Sequence, residues 1–312
     1  MIINVGGRTD IVNYYTPWLI NRLNEGYVLT RNPYNRNHVL RYDLSPSKVD
    51  AIIFCSKNYQ PILKYISDIE RKYSIFCYYT ITAYNKDVEP RVPDIDTSIE
   101  TLKELSKTIG KEKISWRYDP ILLTEDYSID VHLEYFKEIT SKINKNISFC
   151  VFSFVDMYTK VYKNMPEIIE LTKEDKDKIL KGLIKVANRY NMRLQSCAVA
   201  NEYENYGIRK SGCITSQILE ESNNILLKKI KPNGSRQGCT CIPWRDIGEY
   251  DTCLNACKYC YANKRPDIAQ KKYKKHDPNS PIMIGSLNKE DIVQNAKQLS
   301  FLKIDSKQQR LI

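Results

Sequence analysis

The feature that most constrains the fold is a regular alternation of short β-branched or aromatic runs with amphipathic stretches over the first two hundred residues. The runs predict strands, because they are rich in Ile, Val, Phe and Tyr and are bounded by turn residues. The predicted strands are Ile2–Val5, Tyr27–Thr30, Ala51–Cys55, Ile75–Thr82, Ile114–Arg117, Ile147–Phe154 and Arg193–Ala198, with an eighth around Gly207–Cys213. The predicted helices are Ile11–Asn24, Pro61–Lys72, Ser98–Ile109, Val131–Lys145 and Lys173–Tyr190.

This order of elements predicts the fold class. Strands that alternate with helices form βα units and a parallel sheet, and eight strands favour a (β/α)8 TIM-like barrel over an open sheet. The chain of 312 residues then divides into a barrel over residues 1–225 and a cysteine-rich segment with a C-terminal helix over residues 226–312. We expect that segment to pack on the barrel and cap its mouth. Thr172, directly before the last predicted helix, is a good N-cap.

Polar side chains stand directly after most of the predicted strands. In a parallel barrel these positions converge at the C-terminal mouth, where active sites are built. The candidate catalytic residues are Arg8, Asp10, Arg31, Lys57, Arg117, Asp119 and Asp156. The cations suit an anionic group on a small-molecule substrate, and the carboxylates can orient those cations or exchange protons. Any single one of them is equally well explained as a turn residue or as half of an ion pair.

The ten cysteines are unevenly distributed. Cys55, Cys77 and Cys150 each sit alone in an apolar run, which predicts buried thiols that pack as small hydrophobic groups. The other seven follow residue 196, and five of them fall in one short segment: Cys239, Cys241, Cys253, Cys257 and Cys260. Clustering of this kind predicts a metal site.

Three of these cysteines have a specific spacing. Cys253, Cys257 and Cys260 stand as C-x3-C-x2-C, which can bind three irons of a [4Fe–4S] cluster and leave the fourth iron open to a small molecule. The triplet resembles the motif of radical S-adenosylmethionine enzymes, with Tyr259 in its aromatic position. The resemblance implies S-adenosylmethionine as a second cofactor, with Tyr259, Tyr261 and Asn263 as candidate cofactor-binding residues. It also implies a reductant such as ferredoxin or flavodoxin as a partner.

The remaining cysteines leave two arrangements open. Cys239 and Cys241 can combine with Cys257 and Cys260 in a four-thiolate zinc site. Alternatively, Cys239 and Cys241 form a second metal site with Cys197 and Cys213, separate from the triplet. In that case Cys197 and Cys213 would reach the site from the ends of the last barrel strands.

A second resemblance covers nearly the whole chain. It is carried by Arg8–Ile11, Tyr27–Pro33, Ser56–Asn58, Trp116–Leu123, Ser153–Asp156, Asp246–Gly248, Cys260–Asn263 and His276–Pro281. In this order the blocks resemble a bacterial family catalogued as domain of unknown function 1848. That family is described as carrying a radical-enzyme-like cysteine cluster at its C-terminal end. The resemblance implies a type of protein and no particular reaction.

The formal net charge of +11 is concentrated near the cysteines. Twelve basic and four acidic residues lie between Lys228 and His276, which suits either a nucleic-acid surface or a solvated basic face. No apolar run approaches the roughly 18 residues of a membrane-spanning helix, so no membrane partner is expected. The N-terminus lacks the pattern of a signal peptide, and the predicted location is cytoplasmic.

These observations favour one function and leave two others open. The leading hypothesis is an iron–sulfur enzyme of the radical S-adenosylmethionine type that acts on an unknown, anionic substrate. The first alternative is a non-catalytic or redox iron–sulfur protein. The second is a zinc-stabilised protein that binds nucleic acid through its basic region.

Overall fold

The computed structural model describes residues 1–197, 201–234 and 239–303. The strands are β1 (Ile2–Val5), β2 (Tyr27–Arg31), β3 (His38–Asp43), β4 (Ala51–Ser56), β5 (Ile75–Thr80), β6 (Ile114–Ile121), β7 (Phe149–Phe154), β8 (Leu194–Cys197), β9 (Arg209–Ser211), β10 (Arg245–Asp246) and β11 (Ile292–Asn295). The helices are α1 (Ile11–Tyr14), α2 (Thr16–Glu25), α3 (Leu63–Lys72), α4 (Ile95–Ile109), α5 (Ile129–Ile143), α6 (Thr159–Asn164), α7 (Lys173–Arg189), α8 (Ser216–Asn223) and α9 (Pro266–Tyr273). Short 3-10 turns occupy Gln60–Ile62, Lys111–Lys113 and Asn201–Tyr206.

The main sheet confirms the predicted α/β class with a parallel sheet. Its eight strands are ordered β10-β1-β4-β5-β6-β7-β8-β9, and every neighbouring pair is parallel. Strands that are consecutive along the chain and parallel need a crossover between them, and the helices supply most of these crossovers. Among the strands that the structure describes, β9 and β10 end the order and no ladder joins them.

One predicted strand of this sheet is wrong. Tyr27–Thr30 does form a strand, but β2 pairs antiparallel with β3 in a separate sheet, to which β11 adds in parallel. Only six residues, 32–37, separate β2 from β3, so the two strands close locally as a hairpin. Strand β4 therefore pairs directly with β1, and β10, a two-residue strand from the C-terminal part of the chain, pairs with the other side of β1.

The predicted helices form, with one interruption. The single helix expected over Ile11–Asn24 is split into α1 and α2 at Tyr15. Pro17 explains the break, because inside a continuous helix its ring would clash with the carbonyl four residues earlier, whereas it is tolerated in a first turn. The N-cap prediction for Thr172 is confirmed, since its side chain accepts from the backbone of Asp175 in a reciprocal capping box.

The two faces of the main sheet carry different apolar cores. On one face, residues such as Ile52 and Phe54 pack with α1 to α5 and α7. On the other, Ala51 and Ile53 alternate with them and pack against α8 and the residues that follow it. Asn223 at the end of α8 hydrogen-bonds the backbone N–H and carbonyl of Ile75 at the start of β5, at 2.9 and 3.1 Å. Helix α8 therefore lies toward the N-terminal ends of the strands.

Residues after 225 contribute to both sheets and to the core. They supply β10 and β11, and Leu302 bridges Leu227 within the second core. Helix α9 lies in this region, whereas residues 304–312 and Ala198, the last residue of a predicted strand, fall outside the described residues. Within the described ranges, every helix is too short or too polar to cross a bilayer.

Candidate active site

A cavity of about 570 Å³ lies at the C-terminal ends of the main-sheet strands. Its wall includes five of the candidate catalytic residues: Arg8, Lys57, Arg117, Asp119 and Asp156. It also includes cysteines from both parts of the predicted metal region: Cys197, Cys213, Cys239, Cys241 and Cys260. The parallel sheet explains the convergence. Arg8, Lys57 and Asp156 follow the C-terminal ends of β1, β4 and β7, whereas Arg117 and Asp119 lie within the longer β6, with Arg117 in register with Thr80 at the end of β5.

Arg117 and Asp119 form a partly buried ion pair on β6. Asp119 also accepts from the hydroxyl of Ser153, and Arg117 donates from Nη1 to the sulfur of Cys213 at 3.2 Å. Burial by itself would lower the pKa of Arg117, but Cys213 and Asp119 raise it well above its ordinary value. Arg117 is therefore a fixed cation that joins a carboxylate to one of the thiol groups.

Lys57 and Glu89 form a second buried pair, with Nζ and Oε1 2.8 Å apart. Glu89 also accepts from the hydroxyls of Thr82, at 2.8 Å, and Tyr259. Burial would lower the pKa of Lys57, but the adjacent Glu89 raises it. This network connects the loop after β4 to Tyr259, which directly precedes Cys260.

Asp10 holds structure together behind the cavity. Its oxygens accept from the hydroxyl of Ser56 at 2.6 Å, from the backbone of Asn13 and Lys57 at 3.0 Å, and from Asn255 Nδ2 at 3.0 Å. Burial raises the pKa of Asp10, and these hydrogen bonds oppose that shift. Both carboxylate oxygens of Asp10 accept hydrogen bonds, and the bond from Asn255 holds the cysteine loop in place.

Arg8 lies at another part of the wall. It donates to the carbonyl of Gly248 at 3.4 Å, and its guanidinium lies 5.5 Å from the ring centroid of Tyr250. The nearby Asp246 accepts from the backbone N–H groups of Gly7 and Gly248, and burial raises its pKa to about 6. Arg8 has five N–H donors, so it retains capacity for a bound anion.

Two of the candidate residues are placed differently from the rest. Arg31 does not reach the cavity, because β2 belongs to the small sheet. Its guanidinium pairs with Asp291 at 2.5 Å and donates to the carbonyl of Ser286. Asp156 does line the cavity, but it is exposed at the rim.

The loop that carries the cysteine triplet is held from several sides. Asn255 accepts from Asn13 and Tyr14 at 3.0 Å in addition to its bond to Asp10. The backbone N–H of Lys258 donates to the carbonyl of Val88 at 3.0 Å, and Lys160 donates to the carbonyl of Cys260 at 2.6 Å. These contacts tie the loop to segments that follow β1, β5 and β7.

The triplet fits a thiolate-ligated cluster by its donor chemistry. The three thiols are electrostatic neighbours, and the backbone N–H of Ala262 points at the sulfur of Cys260 at 3.3 Å. Hydrogen bonds to the sulfurs are among the interactions that tune iron–sulfur clusters. Burial raises the pKa of Cys253 and Cys257, so these thiols are protonated in the metal-free chain at neutral pH.

The other thiols form a separate group. Cys197 and Cys213 have their sulfurs 3.0 Å apart, Cys213 contacts Cys241, and Cys241 contacts Cys239. This is the grouping of the second arrangement left open by the sequence. All the described cysteines are thiols, and within residues 1–197, 201–234 and 239–303 no three candidate ligands stand around a ready-made ion position.

The three candidate cofactor-binding residues divide in position. Tyr259 and Tyr261 line the cavity, and Tyr261 donates to the carbonyl of Gly7. Asn263 lies behind the loop, where its Nδ2 donates to the carbonyl of Cys253. Among the described residues, its buried Oδ1 has no hydrogen-bond partner.

Sequence reasoning missed several residues of this site. Glu89 falls in an irregular stretch between β5 and α4 and carries no motif. Asn4 lines the cavity from within β1, and its buried Oδ1 finds no partner among the described residues. An asparagine inside an otherwise apolar strand was the available signal for Asn4, since buried polar groups are normally paired.

Comparison with protein families identifies the chain's relatives. The family model described as Domain of unknown function (DUF1848) matches residues 2–262. The chain belongs to this family. The matched range includes the main sheet, the cavity wall and the cysteine triplet of this DUF1848 member.

Two further comparisons add little. No curated protein matches the chain. Among solved structures, a similar chain is the HpcH/HpaI aldolase from Desulfitobacterium hafniense DCB-2, with 9% identity and a TM-score of 0.26 over 73% of this chain and 90% of the aldolase chain. A likeness this weak bears on neither the fold nor the function.

Proposed function

We propose that the protein is an iron–sulfur enzyme that uses S-adenosylmethionine to start radical chemistry on an anionic small molecule. The observation that carries the proposal is the position of Cys260. Its thiol belongs to a C-x3-C-x2-C triplet and lines the same cavity as Arg8, Lys57 and Arg117. A cluster held there would face the cations that suit an anionic substrate.

The residues present fit a [4Fe–4S] cluster, with Cys253, Cys257 and Cys260 as its ligands. When bound, such a cluster with S-adenosylmethionine supplies one-electron cleavage of the sulfonium and a carbon-centred radical. The protein's own part is to bind and orient the reactants and to exclude water from them. Tyr259 and Tyr261 line the wall beside Cys260 and offer ring faces against which a nucleoside can pack.

The cationic side chains are proposed to select the substrate. Arg8 offers N–H donors to an anionic group, and the ring of Tyr250 lies against its guanidinium. Arg117 is held in place by Asp119, so its charge is fixed without reorganisation when a substrate binds. Asp119, which accepts from Ser153, is the carboxylate best placed to hold a substrate hydroxyl or to accept a proton.

We further propose that the parallel sheet curls into a barrel and that residues 253–263 cap its mouth. Support comes from the contacts of that loop with segments after β1, β5 and β7. Strands from widely separated positions in a sheet approach one loop most easily when the sheet is curved. A cap of this kind would shield reactive intermediates from solvent.

The test is anaerobic reconstitution of the full chain with Fe²⁺ and sulfide, followed by S-adenosylmethionine and dithionite. We expect close to four irons per chain, an electron paramagnetic resonance signal that changes when S-adenosylmethionine is added, and formation of 5′-deoxyadenosine. Cys260→Ala should lower 5′-deoxyadenosine formation at least a hundredfold. The matched control is Cys150→Ala, which removes a thiol buried in the core that contains Ile52 and Phe54. This variant should leave cofactor cleavage unchanged.

Two outcomes would contradict the proposal. A stable cluster that never cleaves S-adenosylmethionine would favour a redox iron–sulfur protein. A chain that binds no iron at Cys253, Cys257 and Cys260 would remove the cluster itself.

A further inference from the structure

Four thiols from three separate parts of the chain meet on the wall of the cavity. Cys197 ends β8, Cys213 stands two residues after β9, and Cys239 and Cys241 lie in the segment before β10. The sulfurs of Cys197 and Cys213 are 3.0 Å apart. Cys213 in turn contacts Cys241, and Cys241 contacts Cys239, so the four form one continuous group.

The backbone around this group is built for close approach. A Cβ on Gly212 would lie 2.6 Å from the backbone nitrogen of Cys241, and one on Gly234 would lie 2.4 Å from Cβ of Cys239. Backbone hydrogen bonds fix the same contacts, with Ile242 N–H donating to the carbonyl of Ile214 at 2.8 Å. Gly212 therefore allows the segment of Cys213 to lie directly against the segment of Cys241, and Gly234 allows the backbone of its own segment to approach Cys239.

Hydrogen-bond donors point at the sulfurs. The backbone N–H of Ile214 donates to Cys241 at 3.3 Å, and Arg117 Nη1 donates to Cys213 at 3.2 Å. Cys197 and Cys241 are buried, at 7% and 5% exposure. Hydrogen bonds of this kind orient the ligands of a bound metal, whereas thiols that merely pack as hydrophobic groups need none.

We propose that Cys197, Cys213, Cys239 and Cys241 bind a single Zn²⁺ ion that fastens the C-terminal segment to the end of the main sheet. Tetrahedral zinc with Zn–S bonds of about 2.3 Å places its sulfurs about 3.8 Å apart. The closest pair here needs to widen by only about 0.8 Å to reach that spacing. A four-iron cluster must fit iron and sulfide atoms between its ligands and needs them farther apart.

The ion would act where hydrogen bonding between strands stops. Among the described strands, β9 and β10 end the sheet order without a ladder between them. Cys213 follows β9, and Cys241 precedes β10. A four-coordinate ion would link these two edges, and because its coordination is complete it would be structural. This inference uses cysteines other than the triplet and does not rest on the proposed function.

The experiment measures metal in the full chain purified under reducing, anaerobic conditions. We expect one zinc per chain, with four sulfur neighbours at about 2.3 Å in X-ray absorption at the zinc edge. Cys213→Ser and Cys241→Ser should each lower bound zinc at least tenfold. Replacement of Cys253, Cys257 and Cys260 by Ala should leave it at one per chain, as should the control Cys77→Ala.

A second measurement covers the case in which the serine variants fail to fold. In the wild-type chain, alkylation followed by mass spectrometry should label Cys197, Cys213, Cys239 and Cys241 at least tenfold faster after a zinc chelator is added. The inference is overturned if the reduced chain contains no zinc, if iron and sulfide persist in the triple-alanine variant, or if the zinc edge shows nitrogen or oxygen neighbours. Labelling rates that do not respond to the chelator would overturn it as well.

Discussion

The two thiol groups at the cavity, of which the triplet contributes only Cys260 to the wall, are assembled in opposite ways. Cys253, Cys257 and Cys260 lie within eight residues of one loop, whereas the four cysteines of the second group span 45 residues, from Cys197 to Cys241. The loop is shaped by its own hydrogen bonds and by Asp10, before any metal is considered. The second group exists only because β8, β9 and the segment before β10 meet in space.

The electrostatic surroundings of the two groups also differ. The triplet faces Lys57, whose charge is already matched by Glu89. The second group faces Arg117, which donates directly to Cys213. A site formed by a local loop suits a cofactor that leaves one position open. A site formed by distant segments suits an ion that stabilises the fold.

The largest expected effect tests this division through stability. Closing a long loop costs more chain entropy than closing a short one, so zinc binding should contribute folding free energy. At free zinc about 1,000 times the dissociation constant, zinc should stabilise the chain by about 4 kcal/mol. Denaturant unfolding with and without a zinc chelator measures this. Replacement of the triplet by alanine should change stability by less than about half as much, and equal losses would contradict the comparison.

The second effect concerns the buried pair behind the triplet. Glu89→Ala leaves Lys57 as an uncompensated buried cation and should lower the free energy of unfolding by about 3 kcal/mol. The double variant Lys57→Met with Glu89→Leu should recover most of that loss, because it removes both charges. Chemical unfolding at saturating zinc measures both variants. A loss under about 1 kcal/mol for the single variant would show that water already reaches Lys57.

The third effect separates the fold's own pH dependence from that of the thiols. His132 is buried, and Nε2 donates to the carbonyl of Leu122 while Nδ1 accepts from Tyr118. Burial lowers the pKa of His132 to about 4 from an ordinary 6.5. The unfolded chain therefore binds the proton first as the pH falls below 6.5, and stability is lost between there and about 4.

The part of that loss due to His132, measured as the difference between this chain and its His132→Gln variant, should reach about 2 kcal/mol at pH 5 relative to pH 8, because Asp246, with its pKa raised to about 6, acts in the opposite direction in both chains. Unfolding measured across this range on the zinc-free triple-alanine variant isolates the histidine from metal binding. His132→Gln should flatten the slope, whatever its effect on overall stability. An unchanged slope would mean that His132 is not the group responsible.

The smallest expected effect tests whether hydrogen bonds hold the triplet loop in place before a cluster binds. Asn255→Ala removes hydrogen bonds to Asp10, Asn13 and Tyr14 and should cost about 1–2 kcal/mol. It should also speed iron loss from the reconstituted cluster about tenfold, followed by absorbance after a chelator is added. The control is Asn164→Ala, which contacts the same loop at an exposed carbonyl, Lys258 O, and should change the rate less than twofold. Similar rates for both variants would contradict the anchoring role.

Most of the fold followed from local patterns. Seven of the eight strands in the main sheet were visible as runs of apolar residues, and the Thr172 cap was readable from its position. Two predictions were wrong for local reasons. Pro17 interrupts the first predicted helix, and the short turn after β2 pairs that strand with β3 outside the main sheet. Strand β10 could not be found, because two residues carry no periodicity.

The candidate site likewise contains residues that local patterns predicted and residues that only the tertiary structure places. Arg8, Lys57, Arg117, Asp119 and Asp156 could be gathered from sequence because strand ends in a parallel sheet share one side. Arg31 could not be excluded without knowing that β2 pairs elsewhere. Glu89 could not be assigned to the site from sequence, because an irregular stretch has no periodicity that predicts where a side chain points.

The sequence by itself determined the α/β class and the membership of the cysteine triplet, since both depend on spacings of a few residues. It left open whether Cys239 and Cys241 join Cys257 and Cys260 or join Cys197 and Cys213. Only the tertiary structure brings Cys239 and Cys241 beside Cys197 and Cys213, because that proximity depends on how three distant segments pack at the end of the sheet. Spacing along a chain fixes neighbours within a turn or a loop, and contacts across 45 residues are fixed by the core that forms between them.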